Sequence, residues 1–293
     1  MNKNIEKYKN KGFIYPIKII SDDKAKEINK LYNEEFSKIK NNALKLESKF
    51  KSHLIFKFLN EIIYDETFIS YVREILGNNI LCWNSIIFSK PKKSGKYVGW
   101  HRDKEYWNLK NDKVVTVSIA ITESNIENGC LKIYDGNLEN LKYTIEKDNK
   151  NMLARGQNAV VDDDDKKIKN VELKPGESAF FNQSTIHGSD RNNSEFDRTL
   201  IAIRYISTDN YTKNNHKTAT LVSGVDEYNF YEQEPLPINS FDKNTMKFHS
   251  KLMSKQSKVF ANEILAKFKL EWLSFILNYR FIRGLYYFLK KMN

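Results

Sequence analysis

Five histidines are spread over 293 residues, and two of them sit where their neighbours suit chemistry. His101 lies in GWHRDKEYW (99–107), with Asp103 just beyond Arg102. Alternate residues of a strand point to one side, so this spacing predicts His101 and Asp103 aimed at a common point while Arg102 faces away. An imidazole and a carboxylate that converge are half of a facial metal site. A second histidine would complete the two-His, one-carboxylate set that leaves positions open on non-haem Fe(II) for a co-substrate and O2. Without a third ligand, H-x-D is equally an ordinary surface pair. His53 falls in a helical stretch, and His216 and His249 lie in polar segments where a solvated side chain is the default. His187 stands where an apolar strand (GESAFFN) gives way to a polar turn, and from the start of that turn it can reach back in a rolled sheet. Arg198, eleven residues on, opens an apolar strand; it is either an edge charge or a planar clamp for a carboxylate.

Positioning such groups requires a scaffold, and the pattern along the chain supplies one. Apolar residues Ala25, Ile28, Leu31, Tyr32 and Phe36 fall at helical spacing in 22–45, with Ser21 as the N-cap. Residues 54–76 predict two short helices ending at Gly77. From ILCWNSIIFSKP onward the chain turns to short runs of β-branched and aromatic residues, separated by turns such as Asn128-Gly129 and Lys174-Pro175-Gly176. Many short strands after a helical start predict a mainly β sandwich or barrel with flanking helices.

Seven segments in order then carry a resemblance. GFIYPIKIIS, ILGNNILCWNSIIFSKP, WHRDKEYW, ENGCLKIYDG, LARGQ, LKPGESAFF and HGSDRNNSEFDRTLIAIRYIS, within about Phe13–Ser207, resemble the phytanoyl-CoA dioxygenase family of Fe(II)/2-oxoglutarate oxygenases. The resemblance implies a double-stranded β-helix (jelly-roll, cupin-like) core over residues 1–240, with N-terminal helices packed on it. It implies iron held by His101, Asp103 and His187, and 2-oxoglutarate held by Arg198 with Ser189, Lys90 being a further candidate. The implied reaction consumes O2, releases succinate and CO2, and hydroxylates a C–H bond of a small molecule or a carrier- or lipid-linked metabolite. Desaturation or epimerisation, or a non-catalytic ligand-binding role, are the alternatives. Relatives that halogenate carry Ala or Gly where this chain has Asp103, which points to hydroxylation. Relatives often carry Trp where this chain has Ser118. Tyr106, Trp107 and Asn108 are expected at the mouth of the site, and Arg155 and Gln157 in a long connection (146–170) that could act as a lid.

The charge distribution narrows the partners. The chain carries +11, but residues 245–293 hold ten Lys/Arg against two Glu, so that the rest is near balance. This argues against nucleic acid as the partner of the whole protein. The segment 241–293 is expected to be a basic amphipathic helical tail, either docked on the barrel or on a second subunit of a homodimer, or lying on an anionic membrane. VDDDDKKIKN (161–170) lacks the Gly and Glu of a calcium loop and is expected to be solvated. Two cysteines without metal spacing, and no signal-peptide pattern, point to the cytoplasm.

Overall fold

The computed structural model describes residues 3–267 except 137, 139, 146–149, 154–155, 163–165 and 215–216, with side chains described up to residue 255. Helix α1 (Lys3–Lys11) and strand β1 (Phe13–Lys18) lead into α2 (Asp22–Ser37). Ser21 caps α2 by accepting from the Lys24 amide at 3.1 Å, as the sequence predicts. The helical spacing of 22–45 is not one helix, however. Asn41 takes the amides of Ala43 and Leu44 on its side-chain oxygen and starts a separate α3 (Asn42–Glu47). A 3₁₀ turn (Ser52–Leu54), α4 (Lys57–Ile62) and α5 (Glu66–Leu76) follow.

Strands then dominate: β2 (Ile80–Lys90), β3 (Val98–His101), the one-turn helix α6 (Lys104–Trp107), β4 (Val114–Ala120), β5 (Leu131–Tyr134), β6 (Tyr143–Ile145), β7 (Gln157–Ala159) and β8 (Ile168–Val171). They continue with β9 (Glu177–Phe181), β10 (Ile186–Ser189), β11 (Arg198–Ser207), β12 (Thr218–Ser223) and β13 (Glu232–Gln233), before helix α7 (Lys243–Lys267). The large sheet has the order β1-β9-β4-β11-β2-β12-β13 and the small one β3-β10-β5-β8; β6 and β7 form a separate ribbon. This is the expected jelly-roll core.

Every residue of β4 is buried, because the large sheet is covered on both faces. On one face Ile201, Ile203 and Tyr205 of β11 pack with Val115, Val117, Phe56 just before α4, and the α5 residues Phe68 and Val72. On the other, Leu200, Ala120 and Phe181 meet Leu131 and Ile133 of the small sheet. The odd residues of β11 therefore hold the helices, and the even ones, Arg198 and Arg204 included, face the space between the sheets.

The start of α7 docks on the body, with Leu252 and Met253 buried. His249 is 1% exposed and its Nε2 donates to the Phe50 carbonyl at 2.8 Å. The solvated reading of His249 is thus corrected: its sequence neighbours are polar, but its helix face is covered. Among the described residues no helix is long and apolar enough to cross a membrane. The amphipathic stretch 268–289, on which the membrane and second-subunit readings rest, lies outside the described residues, as do His216 and Arg155.

Candidate active site

In the small sheet β3 and β10 run antiparallel with His101 directly opposite His187. The two rings lie 4.1 Å apart between centroids. Each Nδ1 stands 2.9 Å from a carbonyl oxygen, of Gly99 for His101 and of Thr185 for His187. A ring nitrogen facing a carbonyl must donate, so the proton sits on Nδ1 and the lone pair on Nε2. Burial keeps both rings neutral: His101 is pushed down to about 3, by burial first and the facing His187 second, and His187 is lowered chiefly by burial. The lone pairs point at one carboxylate. His101 Nε2 is 3.7 Å from Asp103 Oδ1, and His187 Nε2 is 3.9 Å from Asp103 Oδ2.

Asp103 is 4% exposed and its Oδ2 has no hydrogen-bond partner among the described residues. Leaving a carboxylate oxygen buried and unpaired costs on the order of several kcal/mol. A carboxylate and two neutral imidazole lone pairs, all within 4.8 Å of one another, fit a divalent cation that removes this cost. Two local expectations are corrected here. Strand β3 stops at His101, and Asp103 (φ −64°, ψ −32°) sits in the turn that opens α6; a helical turn, not strand alternation, brings it back towards His101. His187 lies within β10 and not in a turn, so sheet pairing sets its position.

A second cluster lies where β11 meets β2, with Arg198 directly opposite Lys90. Lys90 Nζ donates to Ser189 Oγ at 2.6 Å and to the Asp190 carbonyl. That carbonyl is brought close by Gly129 (φ 71°), where a Cβ would stand 2.3 Å from Asp190 O. Burial, then the Arg198 charge, pushes Lys90 down to about 6, and burial pushes Arg198 down to about 10. Arg198 Nε has no partner, and no carboxylate is hydrogen-bonded to either residue among those described. A buried guanidinium beside a buried amine that protonates on meeting an anion, with no carboxylate paired to either, can take up a carboxylate.

Tyr106 lies on α6, its ring 6.2 Å from that of His101, and its hydroxyl donates to Gln157 Oε1 on β7. Gln157 and Tyr106 thus tie the β6–β7 ribbon to the ligand loop. Trp107 is buried against Trp83. Asn108 is exposed in a left-handed turn, and its amide donates to Asn214 at 2.9 Å. Ser118 faces Ala202 and Ala179 across the sheet, so the inner wall is lined by small side chains there. Sequence reasoning passed over Arg204. Its parity with Arg198 on β11 was the available signal, and it stands 3.8 Å from Asp103 Oδ1.

These features agree with the comparisons. The sequence pattern described as phytanoyl-CoA dioxygenase (PhyH) matches residues 18–200. An ectoine dioxygenase of Streptomyces avermitilis is 26% identical over an aligned length of 232, which covers 71% of this chain and 79% of that one. Among solved structures, the non-heme monooxygenase ThoJ in its apo form superposes with a TM-score of 0.77 at 23% identity, covering 87% of this chain and 96% of its own. CytC3 with Fe(II) and alpha-ketoglutarate gives 0.61 at 21% identity, covering 80% and 98%. The fold and the site define an oxygenase of the jelly-roll class. The chain belongs to the phytanoyl-CoA dioxygenase family and is a non-haem iron, 2-oxoglutarate-dependent dioxygenase.

Proposed function

We propose that the chain hydroxylates a C–H bond of a small molecule, with His101, Asp103 and His187 holding Fe(II) and Arg198, Ser189 and Lys90 holding the distal carboxylate of 2-oxoglutarate. The observation that carries this reading is the unpaired Asp103 oxygen facing two Nε2 lone pairs. Bound there, iron and 2-oxoglutarate supply the activation of O2, with release of succinate and CO2.

The protein's part is binding, orientation and exclusion of water. The Gly99 and Thr185 carbonyls fix the tautomers, so each imidazole presents a lone pair without reorganisation. Arg198 and Lys90 are already buried, so a dicarboxylate meets a desolvated guanidinium and an amine that gains its charge as the anion binds. Tyr106 and Gln157 tie the ribbon to the helix that follows Asp103, and Trp107 is buried on that same helix. Asp103 fills the carboxylate position, which supports hydroxylation over halogenation. The relative named for ectoine supports a small-molecule substrate over a carrier- or lipid-linked one. The buried free thiols Cys82 and Cys130 support a cytoplasmic setting.

The test is aerobic incubation with Fe(II), 2-oxoglutarate and a panel of small metabolites, followed by mass spectrometry. One product gaining a single oxygen atom, with succinate formed in equal amount, is expected. A product that loses two hydrogens, or an isomer of unchanged mass, would replace hydroxylation by desaturation or epimerisation.

A further inference from the structure

Arg204 shares the inner face of β11 with Arg198, six residues and roughly 20 Å along the strand. The metal-ligand cluster lies at its end. Its guanidinium is 3.8 Å from Asp103 Oδ1 and 4.7 Å above the Trp107 ring. The distance to Asp103 is beyond hydrogen-bond reach. Among the described residues the guanidinium forms no hydrogen bond, and its Nε is buried without a partner. Thr116 is directly opposite on β4, and its buried hydroxyl also lacks a partner, although a hydroxyl rotates freely to find one. Between the two arginines the wall is lowered by Ser118 and Ala202. A guanidinium without a hydrogen bond and a hydroxyl without a partner therefore lie together beside the metal ligands, at the end away from Arg198.

Charge counting leads to the same place. Asp103 balances one cation. A divalent metal ion, Arg198 and Arg204 together bring four positive charges, Asp103 and the two carboxylates of 2-oxoglutarate three negative ones, and a proton taken up by Lys90 on 2-oxoglutarate binding only adds to the excess. Once a metal ion draws on the Asp103 charge, a buried guanidinium without a hydrogen bond is costly unless something anionic arrives. Its place over the Trp107 ring gives it a cation–π contact that takes up none of its N–H donors.

We propose that Arg204, assisted by Thr116 Oγ1, binds a carboxylate of the primary substrate and so sets which C–H bond lies beside the metal. This rests on His101, Asp103 and His187 being the iron ligands. A site built around an unpaired donor rejects analogues that lack the acceptor, because they leave that donor buried and unsatisfied.

The test uses anaerobic protein loaded with Fe(II) and 2-oxoglutarate, whose weak visible charge-transfer band reports the metal site. Tryptophan fluorescence reports Arg204, since Trp107 lies beneath it. Acetate, benzoate and ectoine are titrated, with acetamide and benzamide as uncharged counterparts. At least one carboxylate gives a saturable response and neither amide does. Arg204→Gln weakens that response about ten- to hundredfold while the band and 2-oxoglutarate affinity stay at wild-type level. Arg204→Lys recovers part of it, and Thr116→Val weakens it about threefold, the scale of one neutral hydrogen bond. No carboxylate response in the wild type, an equal response in Arg204→Gln, or loss of the band in that variant overturns the proposal. A carboxylate response that depends on Arg204 in protein showing no band at all upholds the anion site and refutes the iron reading instead.

Discussion

Among the described residues two buried clusters combine histidine with a carboxylate, and they are finished differently. Around Glu234, Lys51 donates at 2.5 Å, His53 Nε2 lies at 2.9 Å, and Thr218 and Thr220 donate at 2.7 and 2.8 Å. His53 Nδ1 is 2.8 Å from Ser85 Oγ. Lys51 and the hydrogen bonds hold the Glu234 carboxyl far below its ordinary range against the opposing cost of burial. Around Asp103 the same residue types leave an oxygen unpaired, two lone pairs exposed to it, and Arg204 out of hydrogen-bond reach. The first cluster pins β12 and the segment after β13 to the 3₁₀ turn. The second is complete only with something added. A satisfied buried network marks structure, and an unsatisfied one marks a site.

Substitutions in the two clusters should therefore separate activity from stability. His187→Ala is expected to lower 2-oxoglutarate turnover roughly a thousandfold or more, since the metal's contribution of several kcal/mol is lost, with the thermal midpoint at or above wild type. Glu234→Ala is expected to do the opposite. It leaves Lys51 buried without its carboxylate and costs about 3–5 kcal/mol in urea unfolding, while the protein still folded in the cold turns over normally. Equal stability loss from both variants would break the distinction.

The carboxylate cluster gives smaller effects. Arg198→Ala should raise the dissociation constant for 2-oxoglutarate about a hundredfold, the scale of two charge-assisted hydrogen bonds, and Lys90→Met about tenfold. Calorimetry measures both. A last effect follows from Lys90, held at about 6 by burial and by Arg198. A bound dicarboxylate favours the charged form and raises that value, so binding takes up a proton. Between pH 7 and 8 the affinity should then fall by up to about tenfold, and the heat should vary with the buffer's own ionisation. In Lys90→Met the slope should vanish.

Most of the scaffold was legible because it rests on local signals. Ser21, Gly77 and the β-branched runs mark their elements without tertiary help. His101, His187 and Arg198 were identified because each stands in a segment of clear polarity and because the ordered segments resemble one family. Other features depend on the fold. Asp103 converges through a helical turn that H-x-D spacing does not reveal. His187 belongs to a strand whose pairing partner, β3, is more than 80 residues away. His249 is buried by a helix docking that its polar neighbours conceal. Arg204 reads as one more charge in RTLIAIRYIS until β11 is seen to be covered on both faces, after which a guanidinium without a hydrogen bond there requires a reason.

The central claim is that His101, Asp103 and His187 form an iron site completed by 2-oxoglutarate on Arg198. The most direct measurement is the visible spectrum of anaerobic protein as Fe(II) and then 2-oxoglutarate are added. A weak charge-transfer band is predicted, appearing only with both present, absent in His187→Ala, and needing far more 2-oxoglutarate in Arg198→Ala. No band in the wild type, or one that saturates at the same 2-oxoglutarate concentration in Arg198→Ala, would contradict it.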